Sequence, residues 1–435
     1  MRKLMRNSDQ YNRAHRILLL PTAPLLLLLL LFLVAYYYSP APLLTISSFK
    51  SLRLPLPVTS TPLHSVSSFL AAEVRASKIA ICLVGGARRF ELTGPSIMKN
   101  LLMEYPNADL FLHSPLDKDS FKFFLLKDAP KIAAVRIFEP GLISENESQL
   151  RVLSSRDSPN GIQGLLQYFN LVEGCLSLIH AHETRHNFTY QWIVRTRVDG
   201  YWSAPLDPTA FRPNSYVIPP GSKFGGFNDR FGIGDRPSSK AALSRLSLLS
   251  SLDAAGYRSL NSESAFKAQL DTSKIAAWEA PLPFCVLSDR RYEFPPERYG
   301  VPVASMGSRG PLSGAKCRPC AAACVGQCVE EVEEMVDRGW SWGEWRKESL
   351  ELCDASGEWE RGWEEYFDGV AGEEAAAVRR GVVGMDWRGC EREFEGMKKR
   401  VGSWDVPPVE EICRLGLNRS SVSAGEGTSV MHGVY

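Results

Sequence analysis

The sequence predicts an α/β fold, and three observations carry that prediction. Ile79-Ala80-Ile81-Cys82-Leu83-Val84 is an unbroken apolar run stopped by Gly85-Gly86, as expected of a strand buried on both faces of a parallel sheet. Residues 108–113 and 132–138 repeat the pattern, with a charged helix expected around 120–127 between them. Residues 163–183 then set Leu165, Leu166, Phe169, Val172, Leu176 and Ile179 at three- and four-residue spacing, which is one face of a helix. That helix delivers Tyr190-Gln191-Trp192-Ile193-Val194-Arg195-Thr196-Arg197-Val198-Asp199, a hydrophobic strand that turns polar at its carboxyl end. Strand and helix alternate, as in a layered α/β domain.

Taken in order, the chain of 435 residues carries an apolar segment close to its amino terminus. No Lys, Arg, Asp or Glu occurs from Ile17 to Phe49, and Leu25 to Leu31 are all leucine. A helix of about 20 apolar residues spans a bilayer core, so residues 17–38 are expected to form a transmembrane signal anchor. Pro21 and Pro24 make its first turns irregular. Arg2, Lys3, Arg6, Arg13 and Arg16 precede it against a single Asp9, whereas the other flank has no basic residue before Lys50. The positive-inside rule then makes residues 1–16 a cytosolic tail and the rest lumenal, with Tyr36, Tyr37 and Tyr38 at the far interface. A cleaved signal peptide is the competing reading, with small residues at Ser39-Pro40-Ala41 but Pro42 directly after such a cut.

Residues 39–77 are rich in Ser, Pro, Thr and Leu and read as an extended stem. The folded domain is expected over 78–300, with a helix at 95–104 after the first strand. A Cys-rich connector over 301–328 and a Trp- and Glu-rich region over 329–435 follow. Asn146, Asn187 and Asn418 head Asn-x-Ser/Thr sequons, compatible with a type II membrane protein of the secretory pathway. Basic and acidic residues nearly cancel, 50 against 49, which argues against a nucleic-acid partner. With 44% hydrophobic and 23% charged residues the chain is neither a rod nor wholly disordered.

Chemistry is expected at the strand ends, because ligands of open α/β sheets bind outside the carboxyl ends of the strands. Asp199 is the best-placed carboxylate. Gly85 and Gly86 allow a close approach to the backbone, and Arg88 just beyond can contact a base or phosphate. Gly225-Gly226-Phe227-Asn228-Asp229-Arg230-Phe231-Gly232-Ile233-Gly234-Asp235 suits a loop wrapped around a ligand, with Asp229 able to deprotonate an acceptor hydroxyl. Glu279 and Asp289, which flank the apolar run 282–287, are weaker candidates for a second acidic role. Each of these also has a structural reading as a turn or solvated carboxylate.

The segments 82–90, 107–113, 194–199 and 228–234, in that order and spacing, resemble an uncharacterised plant family of membrane-anchored proteins. That family is itself similar to GT-A-type glycosyltransferases, including bacterial polysaccharide-synthesis enzymes with an Arg-x-Asp strand end. The resemblance covers roughly 78–290. It implies a Rossmann-like, GT-A-like mixed sheet, a nucleotide-sugar donor, a glycan or glycoprotein acceptor and a Golgi location. It also implies that Arg88 sits in the donor nucleotide pocket next to the Gly85-Gly86 turn, that Arg197 and Asp199 lie at the diphosphate and metal, and that Asp229 faces the acceptor. A Mn²⁺ or Mg²⁺ ion on Asp199 would follow from the usual Asp-x-Asp, but here Arg197 replaces the first carboxylate, and an arginine can neutralise phosphate without a metal. The alternative is a catalytically inactive relative that binds carbohydrate or scaffolds a complex.

Of ten cysteines, Cys317, Cys320, Cys324 and Cys328 form one cluster. Four such thiolates suit one Zn²⁺, while an oxidising lumen favours disulfides, the preferred reading here. Cys353, Cys390 and Cys413 are free to pair with the cluster or among themselves. Seven of the ten tryptophans fall between Trp340 and Trp404, which suggests a small Cys- and Trp-rich lobe packed on the main domain.

Overall fold

The computed structural model describes residues 71–292, apart from 155, 157 and 159, together with 302–335 and 350–417. The expected anchor at 17–38, the tail before it, most of the stem, Asn418, Trp340, Trp342 and Trp345 lie outside the described residues. Among the described residues no helix is long and apolar enough to cross a membrane.

The first half of the chain runs β1 (Ile79–Val84), α1 (Phe90–Ile97), β2 (Asp109–Pro115), a 3₁₀ segment (Ser120–Asp128), β3 (Ile132–Phe138), α2 (Glu147–Val152), α3 (Gly161–His186) and β4 (Trp192–Arg197). β1, β2, β3 and β4 form parallel pairs, with β1 between β2 and β4. The expected alternation is therefore present. The helix after β1 starts earlier than expected, and Met98–Leu102 continues it as one π-helical turn.

The strands are buried on both faces, and their alternate side chains enter two different cores. Ile81, Leu83, Leu110, Leu112 and Val194 pack with Ile97, Phe123 and Leu126 on one face. Ala80, Cys82, Val84 and Phe111 meet Leu171, Val172, Cys175 and Ile179 of α3 on the other. Each large side chain buried this way contributes about 1.5–3 kcal/mol, which is why an apolar run with no polar alternation folds as a central strand.

After β4 the chain makes a turn at Val198 and Asp199 into β5 (Gly200–Trp202), which belongs to a second sheet. It returns to the first sheet as β6 (Ser215–Ile218) and β7 (Phe231–Asp235), then runs through α4 (Arg236–Leu243), α5 (Leu249–Ala254) and α6 (Ser262–Thr272) to β8 (Ala276–Glu279). β7 lies antiparallel between β4 and β6. The glycine-rich segment expected to wrap a ligand is thus partly a strand. Its Gly232 is required because a Cβ there would lie 2.2 Å from the Tyr216 ring.

β9 (Phe284–Leu287), β10 (Val303–Ser305), β11 (Ala315–Arg318) and β12 (Leu352–Cys353) complete the second sheet, with α7 (Gln327–Met335) between the last two. Its strand order is β12-β10-β11-β9-β5. Strands of two to four residues enclose a small core, and disulfides staple it: Cys285 to Cys317, Cys320 to Cys353 and Cys324 to Cys328. Cys82 bonds to Cys175 and Cys390 to Cys413, so all ten cysteines are paired. The cluster at 317–328 does not gather around one zinc ion.

The last described elements are α8 (Trp363–Ala371), α9 (Glu373–Val383), α10 (Trp387–Lys398), β13 (Val401–Asp405) and α11 (Val409–Leu417). The Cys- and Trp-rich lobe expected here is shared between the two sheets. Phe367 of α8 enters the core of the second sheet. Phe394, Met397 and Ile412 enter the main core, and β13 pairs in parallel with β3 as an edge strand. The first sheet therefore reads β13-β3-β2-β1-β4-β7-β6-β8.

Candidate functional site

The chain builds β1, β2 and β3 outward in one direction and then crosses back to place β4 on the other side of β1. This reversal is a topological switch point, where the carboxyl ends of two parallel strands diverge and leave a crevice. Val84, Gly85, Gly86, Arg88, Tyr168, Leu171, Arg197 and Asp199 line that crevice. All five residues expected at the donor are therefore brought together, although they come from segments more than a hundred residues apart in the sequence. The crevice holds 10 Å³, about one water. A larger cavity of 490 Å³ lies elsewhere, beside Phe211 and Leu282, with Arg212 stacked 3.6 Å over Trp278.

The loop after β1 is fixed from three sides. Gly85 has φ +124°, which a side chain would strain. A Cβ on Gly86 would lie 2.4 Å from the Asp117 carboxylate, which accepts the Ala87 N–H at 3.1 Å. Burial raises the pKa of Asp117. The two glycines thus make room for the chain's own atoms as well as lining the crevice. Lys122 donates to the Arg88 carbonyl at 2.7 Å, and Arg89 pairs with Asp289 at 2.7 Å while stacking 4.0 Å over Trp359. Asp289 consequently serves this clamp, and Glu279 pairs with Lys223 at 2.9 Å.

Opposite the loop, Arg197 forms a two-pronged pair with Asp199, Nε to Oδ1 at 2.7 Å and Nη2 to Oδ2 at 2.6 Å. Burial works to raise the Asp199 pKa, but the Arg197 charge and hydrogen bonds outweigh it and hold the carboxyl below its usual range. Both carboxylate oxygens are thereby engaged. No group of three or more His, Cys, Asp or Glu side chains that would hold a metal occurs among the described residues. This donor set does not fit a divalent cation.

Asp229 sits deeper. Its Oδ2 accepts from Arg245 at 2.9 Å and from the Ser262 hydroxyl at 2.6 Å, and its carbonyl accepts from Tyr168 at 3.1 Å and from Arg195. Burial alone would raise its pKa, yet Arg245 and Arg195 lower it. Tyr168 links the two places, because it also lines the crevice.

A family model matches residues 74–419. The chain belongs to the domain-of-unknown-function family DUF7796. The DUF7796 span takes in both sheets and the whole crevice of this chain. No curated protein matches the chain.

Three functional candidates of this DUF7796 domain escaped the sequence reading. Arg230 donates to the Gly314 carbonyl at 2.7 Å and to the Ser222 hydroxyl at 3.0 Å, and its pKa is lowered by burial and then by Arg197. Glu263, in the first turn of α6, has its pKa pushed up to about 8 by burial and by the neighbouring Asp229 charge. Lys316 of β11 has its pKa held well below the usual value by burial and by Arg230 and Arg197. Arg230 was visible as a neighbour of Asp229, but no period or motif marks the other two.

Proposed function

We propose that the protein is a membrane-anchored glycosyltransferase of the secretory pathway, most consistent with the Golgi, that takes a nucleotide-sugar donor and modifies a glycan or glycoprotein. The observation that carries this reading is the crevice at the β1/β4 switch point, where Gly85, Gly86, Arg88, Arg197 and Asp199 converge. In such a reaction the bond from the sugar to the diphosphate breaks and its electron pair stays on the diphosphate. The acceptor hydroxyl oxygen forms the new bond and gives up its proton. Arg88 and Arg197 lie where they would stabilise the departing charge. At the acceptor end Asp229 keeps its proposed place, with Glu263 beside it. Glu263 suits the proton-accepting role better, because its pKa lies near neutrality.

Full disulfide pairing supports an oxidising compartment. So do the exposed sequon residues Asn146 and Asn187. The alternative, an inactive relative that binds carbohydrate or scaffolds a complex, draws on the fact that Asp199 and Asp229 are both already engaged by arginines. One experiment separates the readings. The full chain in detergent is offered a panel of nucleotide sugars, with and without Mn²⁺, and release of nucleoside diphosphate is measured. Release from one donor supports the enzyme. Release from none, with no donor bound in calorimetry, removes it.

A further inference from the structure

We propose that Lys316, supplied by the disulfide-stapled second sheet, is a phosphate-binding residue of this crevice, and that side-chain cations rather than a divalent metal hold the diphosphate. The inference rests on the nucleotide-sugar reading and adds to it a residue and a mode of capture.

Strand register carries Lys316 toward the site. Gly200 of β5 pairs with Val286 of β9, and Val286 pairs with Lys316 of β11. The Asp199 carbonyl accepts the Leu287 N–H at 3.0 Å, which fixes the β4–β5 corner to the same ladder. Neighbouring strands lie about 4.8 Å apart, so two steps of the ladder set Lys316 within a side chain's reach of the Asp199 corner. The placement is rigid. Cys317 next to it is bonded to Cys285, and the Arg230 guanidinium holds the Gly314 carbonyl just before β11.

The charge distribution there calls for an anion. The Lys316 side chain makes no hydrogen bond or ion pair among the described residues. The charges that act on it are those of Arg230, Arg197 and Arg290, with Asp199 the one carboxylate among the main ones. Arg88 adds its charge at Asp199. Asp199 already answers Arg197 through both oxygens. Cations crowded this way repel one another in a half-buried setting, and a diphosphate would relieve that repulsion with charge-assisted hydrogen bonds. A divalent cation would add to the repulsion.

The test uses the full chain in detergent, with inorganic pyrophosphate, UDP and GDP as probes, titrated calorimetrically in EDTA and in Mn²⁺. Pyrophosphate binding in EDTA, weakened roughly tenfold or more in Lys316→Gln and largely recovered in Lys316→Arg, supports the inference. Should Lys316→Gln melt early, Lys316→Arg decides: retained binding supports the inference, and lost binding in a folded variant overturns it. Nucleotide binding that needs Mn²⁺ and ignores Lys316 also overturns it, while the nucleotide-sugar reading stands. Binding of no probe under either condition removes both.

Discussion

Two carboxylate–arginine pairs are buried in the fold and differ in what surrounds them. Arg197 and Asp199 meet at the wall of a crevice where two sheets join, with Lys316, Arg230 and Arg88 around them. Asp229 and Arg245 meet in the interior, where Arg245 is 1% exposed and lies 4.5 Å over the Phe266 ring. The first pair has several further cations acting on it, so an arriving anion would meet an excess of positive charge. The second is closed by Ser262 and aromatic rings. The contrast teaches that a buried ion pair draws an anion only where further cations surround it.

Breaking the inner pair should have the largest effect. Arg245→Met leaves Asp229 buried without its partner, and denaturant unfolding should show a loss of about 3–5 kcal/mol. A smaller loss would mean that Asp229 finds water, which would bring it closer to a catalytic role. The outer pair should respond in the opposite sense. Asp199→Asn releases Arg197, so pyrophosphate affinity in EDTA should rise, by up to about tenfold. A fall in EDTA would instead show that Asp199 holds the Arg197 fork in its binding position.

Glu263 sharpens the comparison through pH. Its folded pKa of about 8 lies above its ordinary value of 4.5, so folding is penalised once the carboxyl must ionise. The penalty is absent below about pH 4.5 and grows as pH climbs toward 8. Glu263→Gln should therefore melt progressively higher than the native chain between pH 5 and pH 8, by a few degrees at the upper end. A constant offset across that range would show that Glu263 is not perturbed. The smallest effect is expected at Glu279, whose pair with Lys223 is solvent-exposed. Glu279→Gln should shift stability by less than about 1 kcal/mol and leave anion binding unchanged in the same titrations.

Much of the central sheet was legible because its strands are buried on both faces, and β1 and β3 have the expected bounds. The crevice was legible for a related reason: ligands of open α/β sheets bind where apolar strands end, so Gly85, Arg88 and Asp199 could be picked without knowing the register, while Arg197 came from the resemblance. The second sheet was not. Its strands are too short to show a period, and β11 is read only as part of a cysteine cluster. Lys316 therefore had nothing to distinguish it from a surface lysine. Glu263 was hidden similarly, since an acidic residue in a first helical turn is ordinary dipole chemistry. The segment 231–235 misled because glycines that admit a neighbouring tyrosine ring look the same as glycines that admit a ligand.

The place of β13 bears on how the chain is made. β3 ends at Phe138, but the strand that covers its outer edge begins only at Val401. During synthesis, when amino-terminal segments begin to fold first, the hydrophobic edge of Ile132–Phe138 is left bare until nearly all of the domain has been translated. Bare edges pair with other chains. A ribosome that stops between α9 and β13 would release a polypeptide that carries every crevice residue and a sticky flank, so a late nonsense mutation should deplete the protein through aggregation and quality control.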